Sequence, residues 1–162
     1  MSELLFTSSI DPVKEGQVFT ESPPRHVTVW QYFTLPDFHR KTFLDEVGRA
    51  VEGFSPLEII GGAEDKFGPN NDVPVRRVIA LGTGATLITL HAVLGEIIRR
   101  YDGVIRDPQY AWEGYNPHVT YVNGKALDEG EYVKLSHIEL MEKDDALKQK
   151  VVRKVWDFEG TE

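Results

Sequence analysis

The 162-residue chain contains no cysteine. That excludes disulfides, cysteine-ligated zinc, iron–sulfur clusters and thiol catalysis, and it suits a reducing compartment. Long apolar runs are missing too: no stretch approaches the roughly 18 residues of a membrane span. Met1-Ser-Glu-Leu-Leu-Phe6 lacks a basic region followed by an apolar segment, so no signal peptide is expected. Positive charge is in deficit, with a formal net charge of −8 and a pI near 5.1. Such a chain is a poor general binder of long nucleic acid, whereas a local pocket can still take a small or short nucleotide. Gly61-Gly62 is followed by neither a Gly-Lys-Ser/Thr ending nor a G-x-G-x-x-G pattern, so it makes no phosphate-binding loop. The expectation is one soluble, cytoplasmic domain over residues 1–162, with no cofactor and no membrane partner. Its oligomeric state is open.

Five histidines are present, and two of them stand in the same local pattern. Arg25-His-Val-Thr-Val-Trp-Gln-Tyr-Phe33 and Asn116-Pro-His-Val-Thr-Tyr-Val122 are both β-branched and aromatic runs, which read as strands. Side chains two apart on a strand share a face. His26 and Thr28 therefore point one way, as do His118 and Thr120, while Val27, Val29, Val119 and Tyr121 anchor the opposite faces. Two imidazoles across a cleft can act as proton acceptor and proton donor, because the unperturbed imidazole pKa of about 6.5 lets both forms exist near neutrality. Two threonine hydroxyls can donate to the charged oxygens of a phosphoryl group. Phosphodiester cleavage needs both functions and, in principle, no metal.

These segments resemble the paired His-x-Thr-hydrophobic signatures of the two-histidine (2H) phosphoesterase superfamily, which includes the 2′–5′ RNA ligase-like proteins and cyclic phosphodiesterases. The second copy is the closer match, since Tyr115-Asn-Pro-His118 carries the aromatic residue and proline common before that histidine. The resemblance rests on about a dozen residues, with the layout of most of the chain in agreement. It implies His26 and His118 as the proton-transferring pair and Thr28 and Thr120 as phosphoryl ligands. It further implies a substrate among 2′,3′-cyclic phosphates, 2′–5′ oligoadenylates, ADP-ribose cyclic phosphates, RNA ends or, as in some compact viral members, cyclic oligonucleotide signals of host defence. Two rivals stand beside it. One is a non-catalytic protein that sequesters a nucleotide signal, which would have no need of a matched proton-transfer pair. The other is a histidine-based metal hydrolase, for which His26 and His118 lack a nearby H-x-H or H-E-x-x-H.

In chain order, Leu4 to Ser8 reads as a short strand and residues 11–25 as a connection. Asp37 is a candidate N-cap for a helix whose stripe is Phe43, Val47, Ala50, Val51 and Phe54. Leu57 to Ile60 reads as a strand ending at Gly61-Gly62, Phe67 to Asp72 as a turn, and Val73 to Leu81 as the next strand. Arg76 and Arg77 face opposite sides of that strand; Arg76 is the candidate phosphate contact, with a purely surface pair as the alternative. Thr83 to Thr86 opens a second helix with the stripe Leu87, Leu90, Leu94, Ile97, Ile98 and Tyr101; His91 lies beside it as a packed histidine, and His39 is read as a surface residue. Tyr110, Trp112 and Tyr115 are candidate stacking rings for a base, with loop packing as the alternative, and Trp30, two residues beyond Thr28 on the His face, is a further stacking candidate or a cleft-floor residue. Tyr132 to Met141 reads as one strand, Glu142 to Asp145 as a turn, Val151 to Phe158 as a final strand, and 159–162 as a frayed end. His137 and Glu139 share a strand face but are weak evidence for a metal. Helices alternating with strand pairs suggest an α+β fold. The family resemblance sharpens this to two pseudo-symmetric lobes of antiparallel sheet, each backed by a helix, with a central cleft.

Overall fold

The computed structural model describes residues 2–21, 23–144 and 146–159. Ten strands occur among them: β1 (Glu3–Ser9), β2 (Val18–Phe19), β3 (His26–Thr34), β4 (Leu57–Phe67), β5 (Val73–Ala80), β6 (Val104–Ile105), β7 (His118–Thr120), β8 (Tyr132–Leu135), β9 (His137–Asp144) and β10 (Gln149–Asp157). Two α-helices accompany them, α1 (Arg40–Val51) and α2 (Leu87–Arg100). All the strands join one sheet in the order β2-β10-β9-β1-β3-β7-β5-β4-β8, with β6 beside β3, and every strand pairing in it is antiparallel. The fold is α+β. The two His-x-Thr strands, β3 and β7, are neighbours at the middle of this sheet, so their motifs meet across a strand pair.

One face of the sheet is covered by helices and the other is left for the motifs. Phe43, Val47 and Val51 of α1 and Leu87, Leu90, Leu94, Ile97 and Ile98 of α2 share a core with Leu4 and Phe6 of β1, Val27 of β3, Val119 of β7 and Ile138 and Leu140 of β9. These strand positions alternate with Thr7, Thr28, His118 and Glu139, which consequently face away from the helices. Burying such apolar side chains is worth about 1.5–3 kcal/mol each. None of the described helices is long and apolar enough to cross a membrane.

Several sequence expectations shift at the ends of elements. Thr86 does cap α2, its hydroxyl accepting from the Thr89 N–H at 3.5 Å, but Asp37 makes no cap bond and instead begins a 3₁₀ turn. Gly61-Gly62 does not end β4. The segment bearing Asp128 lies so close that a Cβ on Gly61 would collide with the Asp128 carbonyl oxygen, and the strand continues through a bulge to Phe67. Tyr132 to Met141 is two strands broken at Ser136. β8 pairs with β4 at one edge, while β9 lies between β1 and β10 in the other half. The turn expected at Glu142 to Asp145 starts later, since β9 runs through Asp144; Asp145 and the tail beyond Glu159 lie outside the described residues.

Candidate active site

The register of β3 against β7 assembles the site. Val27 pairs with Val119, and extending that antiparallel register sets His26 opposite Thr120 and Thr28 opposite His118. Directly opposed side chains have Cβ atoms about 4.5–5.5 Å apart, and diagonal neighbours about 7–8 Å. The two histidines occupy one diagonal of this square and the two threonines the other, all on the helix-free face. A phosphoryl group set over the centre would meet an imidazole on two sides and a hydroxyl on the other two.

Both imidazoles are oriented by the same local contact. His26 Nδ1 lies 2.7 Å from the Pro24 carbonyl oxygen, and His118 Nδ1 lies 2.8 Å from the Asn116 carbonyl oxygen. A carbonyl only accepts, so Nδ1 carries the proton in each ring and donates it, which leaves Nε2 to exchange a proton with a substrate. Burial pushes both histidines below the ordinary value of 6.5; the backbone hydrogen bond opposes this in each case. His26 also lies within range of the positive charge of Lys150, which lowers it, and of Glu139, which raises it, whereas Asp65 raises His118.

Tyr110 and Tyr115 border the His118 end of the site with Thr28, Gln31, Phe67 and Asn116. Phe67 packs its ring 4.2 Å from His118 and 4.7 Å from Tyr110. Tyr115 has a bracing role as well: its hydroxyl donates to the Thr28 carbonyl at 2.8 Å, and burial pushes its ionisation well up. Phe67, Gln31 and Asn116 were not visible as site residues in the sequence. Phe67 reads there as the start of a turn and reaches His118 only because β4 runs past its glycines.

Three candidate contacts are placed elsewhere. Trp30 is 2% exposed and turned to the helix side. Thr28 pairs with Thr7 but Trp30 with Phe6, so Val29 is an extra residue on β3, and this bulge reverses the alternation beyond Thr28. The Trp30 ring stacks on His91 at 4.1 Å and its indole N–H donates to the His91 carbonyl, leaving no face for a base. Trp112 meets Trp30 edge-on at 5.4 Å and packs against α2 at Gly95, away from the site. Arg76 pairs with Val119, on the helix side, and donates to the carbonyls of Leu127 and Gly62. Arg77 is the arginine that shares a face with His118, its register partner; it reaches Asn116 at 3.4 Å and Asp65 at 3.4 Å.

His91 is a structural histidine, as expected. It is sandwiched between Trp30 and Tyr115 at 4.1 and 4.0 Å, donates from Nδ1 to the Val29 carbonyl, and accepts at Nε2 from the Trp112 N–H. The stack ties α2 to the back of the motif strand. His39, by contrast, is half-buried beside Tyr101 and Asp102. His137 and Glu139 pair with each other at 3.1 Å, and the Glu139 carboxylate also accepts from Thr7 at 2.8 Å and from Ser9. Among the described residues no group of three or more His, Asp or Glu side chains is placed to hold a metal ion.

Comparison with known proteins returns a fold. No family model matches the chain, and no curated protein matches it by sequence. Solved structures do. E. coli LigT complexed with 3′-AMP superposes with a TM-score of 0.63 at 13% identity, covering 98% of each chain. A structure described as a phosphoesterase gives 0.61 at 13% identity over 98% of this chain and 99% of its own, and a Thermus thermophilus protein gives 0.54 at 15% identity over 99% and 100%. E. coli LigT has also been solved with ATP, NADP+ and phosphate. The chain thus has the LigT-like phosphoesterase fold along nearly its whole length.

Proposed function

We propose that this protein is a metal-independent 2H-type phosphodiesterase acting on a cyclic or 2′-linked nucleotide phosphodiester, with His26 and His118 as its acid–base pair. The observation that carries the reading is the matched anchoring of the two imidazoles. Each donates Nδ1–H to the carbonyl two residues earlier, and each stands opposite a threonine of the partner motif.

In hydrolysis, one neutral histidine accepts a proton at Nε2 from water as the water oxygen bonds to phosphorus. The bond from phosphorus to a ribose oxygen breaks, and the protonated second histidine delivers its Nε2 proton to that oxygen. A ribose hydroxyl replaces water in the transesterification mode, and reversing the direction exchanges the two histidine roles. Thr28 and Thr120 donate to the non-bridging oxygens as charge builds there. Each proton transfer supplies about 10²–10⁴ in rate. The small-nucleotide ligands named for E. coli LigT agree with a small nucleotide or short oligonucleotide as substrate, as does the acidic body of the chain.

The test is a hydrolysis screen of chelator-treated protein against 2′,3′-cyclic nucleotides, 2′–5′ oligoadenylate and cyclic di- and trinucleotides, with a His26→Ala/His118→Ala variant as control. Turnover of one class by the parent and none by the variant is the expected result. Tight binding without turnover moves the protein to the sequestering reading, and activity lost to chelator and restored by a divalent ion moves it to a metal hydrolase.

A further inference from the structure

The helix-free face carries a second feature, on the half of the sheet beyond His26. Leu5, Met141 and Val152 form a small apolar cluster there with Val13, Phe19, Tyr32 and Val155, separate from the main core. Leu5 is two residues from Thr7 on β1, and Thr7 pairs with Thr28, so this cluster continues the surface on which the histidines stand. Three cations converge on Tyr32, one of its two aromatic members. The Arg106 guanidinium lies 4.2 Å from the centre of the Tyr32 ring, Lys143 Nζ 5.2 Å and Lys150 Nζ 5.7 Å. Lys148 joins Lys143, Lys150 and Phe19 in lining an adjoining depression.

Gathering like charges about one ring is unfavourable unless anions answer them. Arg106 is answered within the fold, by Glu3 at 3.0 Å and Asp107 at 3.0 Å. Glu21 lines the depression as well. Lys148 and Lys150 have no carboxylate partner among the described residues, in a chain whose formal charge is −8. Lys150 nevertheless lies close enough to the motif for His26 to feel its charge. Along β1, the row bearing Lys143 is four residues from the row of Thr7 and Thr28, about 13 Å away by strand rise. A chain of nucleotides can span that separation.

We propose that Lys148 and Lys150, set about Phe19 and Tyr32, form a second phosphate-binding site that holds a remote phosphate of an oligonucleotide whose scissile phosphate lies between His26 and His118. The proposal rests on the phosphodiesterase reading for its orientation and deepens it: the preferred substrate carries more than one phosphate. The lysines supply point charges to phosphate oxygens, and the two rings supply an apolar surface for the intervening base.

The experiment compares a 2′–5′-linked adenylate trimer with 2′,3′-cyclic AMP in the parent and in a Lys148→Gln/Lys150→Gln variant whose melting curve confirms folding. The expected result is a tenfold or greater rise in KM for the trimer and a change within twofold for the cyclic mononucleotide. A parallel calorimetric titration of the trimer, in a His26→Ala/His118→Ala background with and without the lysine changes, reads binding independently of turnover. The same tenfold weakening is expected there, with a shallower dependence on salt. Equal trimer affinity with and without the lysines overturns the proposal, as does trimer binding no tighter than that of the mononucleotide, or an equal loss for both ligands. If the parent turns over neither compound, the phosphodiesterase reading fails while the titration still decides the second site.

Discussion

The two motif strands carry the same four-residue pattern in unlike settings. β3 is nine residues long, is paired with β1 and β7 along its flanks, and holds a bulge at Val29; β7 is only three residues, entered directly from Pro117. Despite this, His26 and His118 make the same bond to the carbonyl two residues back. The orientation of the imidazole is therefore a local property of the motif and does not depend on the length of the strand that bears it. What differs is what surrounds each ring. His26 borders the lysine side of the sheet, while His118 lies beneath Phe67 and near Asp65.

Five substitutions probe that comparison, in falling order of effect. His26→Ala and His118→Ala should each lower kcat by at least about 10²-fold, equally, with melting curves unchanged; a large loss in one alone breaks the equivalence. Thr28→Val and Thr120→Val keep the β-branched shape and remove one donor to a charged oxygen, at about 1.5–3 kcal/mol, or roughly 10–100-fold in kcat/KM measured at saturating and limiting substrate. Gly95→Ala disturbs the packing behind both strands, because its new Cβ would collide with the ring of Trp30 on β3 and that of Trp112 in the segment leading to β7. Overpacking of this kind costs about 1–3 kcal/mol, read as a lower midpoint in denaturant.

The smallest effect concerns the tie between α1 and β9. Arg40 and Arg153 hold the Glu142 carboxyl down to about 2 from its ordinary 4.5. Its folded value is depressed, so its stabilising contribution is full above pH 4.5 and is lost as the pH falls toward 2. Thermal melts of Glu142→Gln should show a weaker acid dependence across that window than the parent does.

Sequence carried the placement of the motif residues further than it carried their surroundings. Period-two alternation placed His26 with Thr28 and His118 with Thr120, and the helical stripes of α1 and α2 were legible in their apolar spacing. The same alternation misplaced Trp30, because one extra residue at Val29 shifts the phase and a bulge leaves no mark in composition. Arg76 and Arg77 were known to diverge, but choosing between them needed the partner strand: Arg77 pairs with His118 and Arg76 with Val119. Ser136 splits an apparently continuous strand whose two pieces pair with distant partners, a long-range choice that local periodicity does not encode.

The most direct test of the two-histidine account is the pH dependence of kcat/KM for a turned-over cyclic nucleotide, in the parent and in the single variants His26→Ala and His118→Ala. Burial holds both imidazoles below 6.5, so the parent should give a bell with its maximum below that pH, falling as rising pH strips the acid of its proton. Each variant should keep only residual activity and lose a different limb of the bell. Full turnover in either variant, or a bell unchanged in shape, would contradict the assignment of His26 and His118 as a proton-transfer pair.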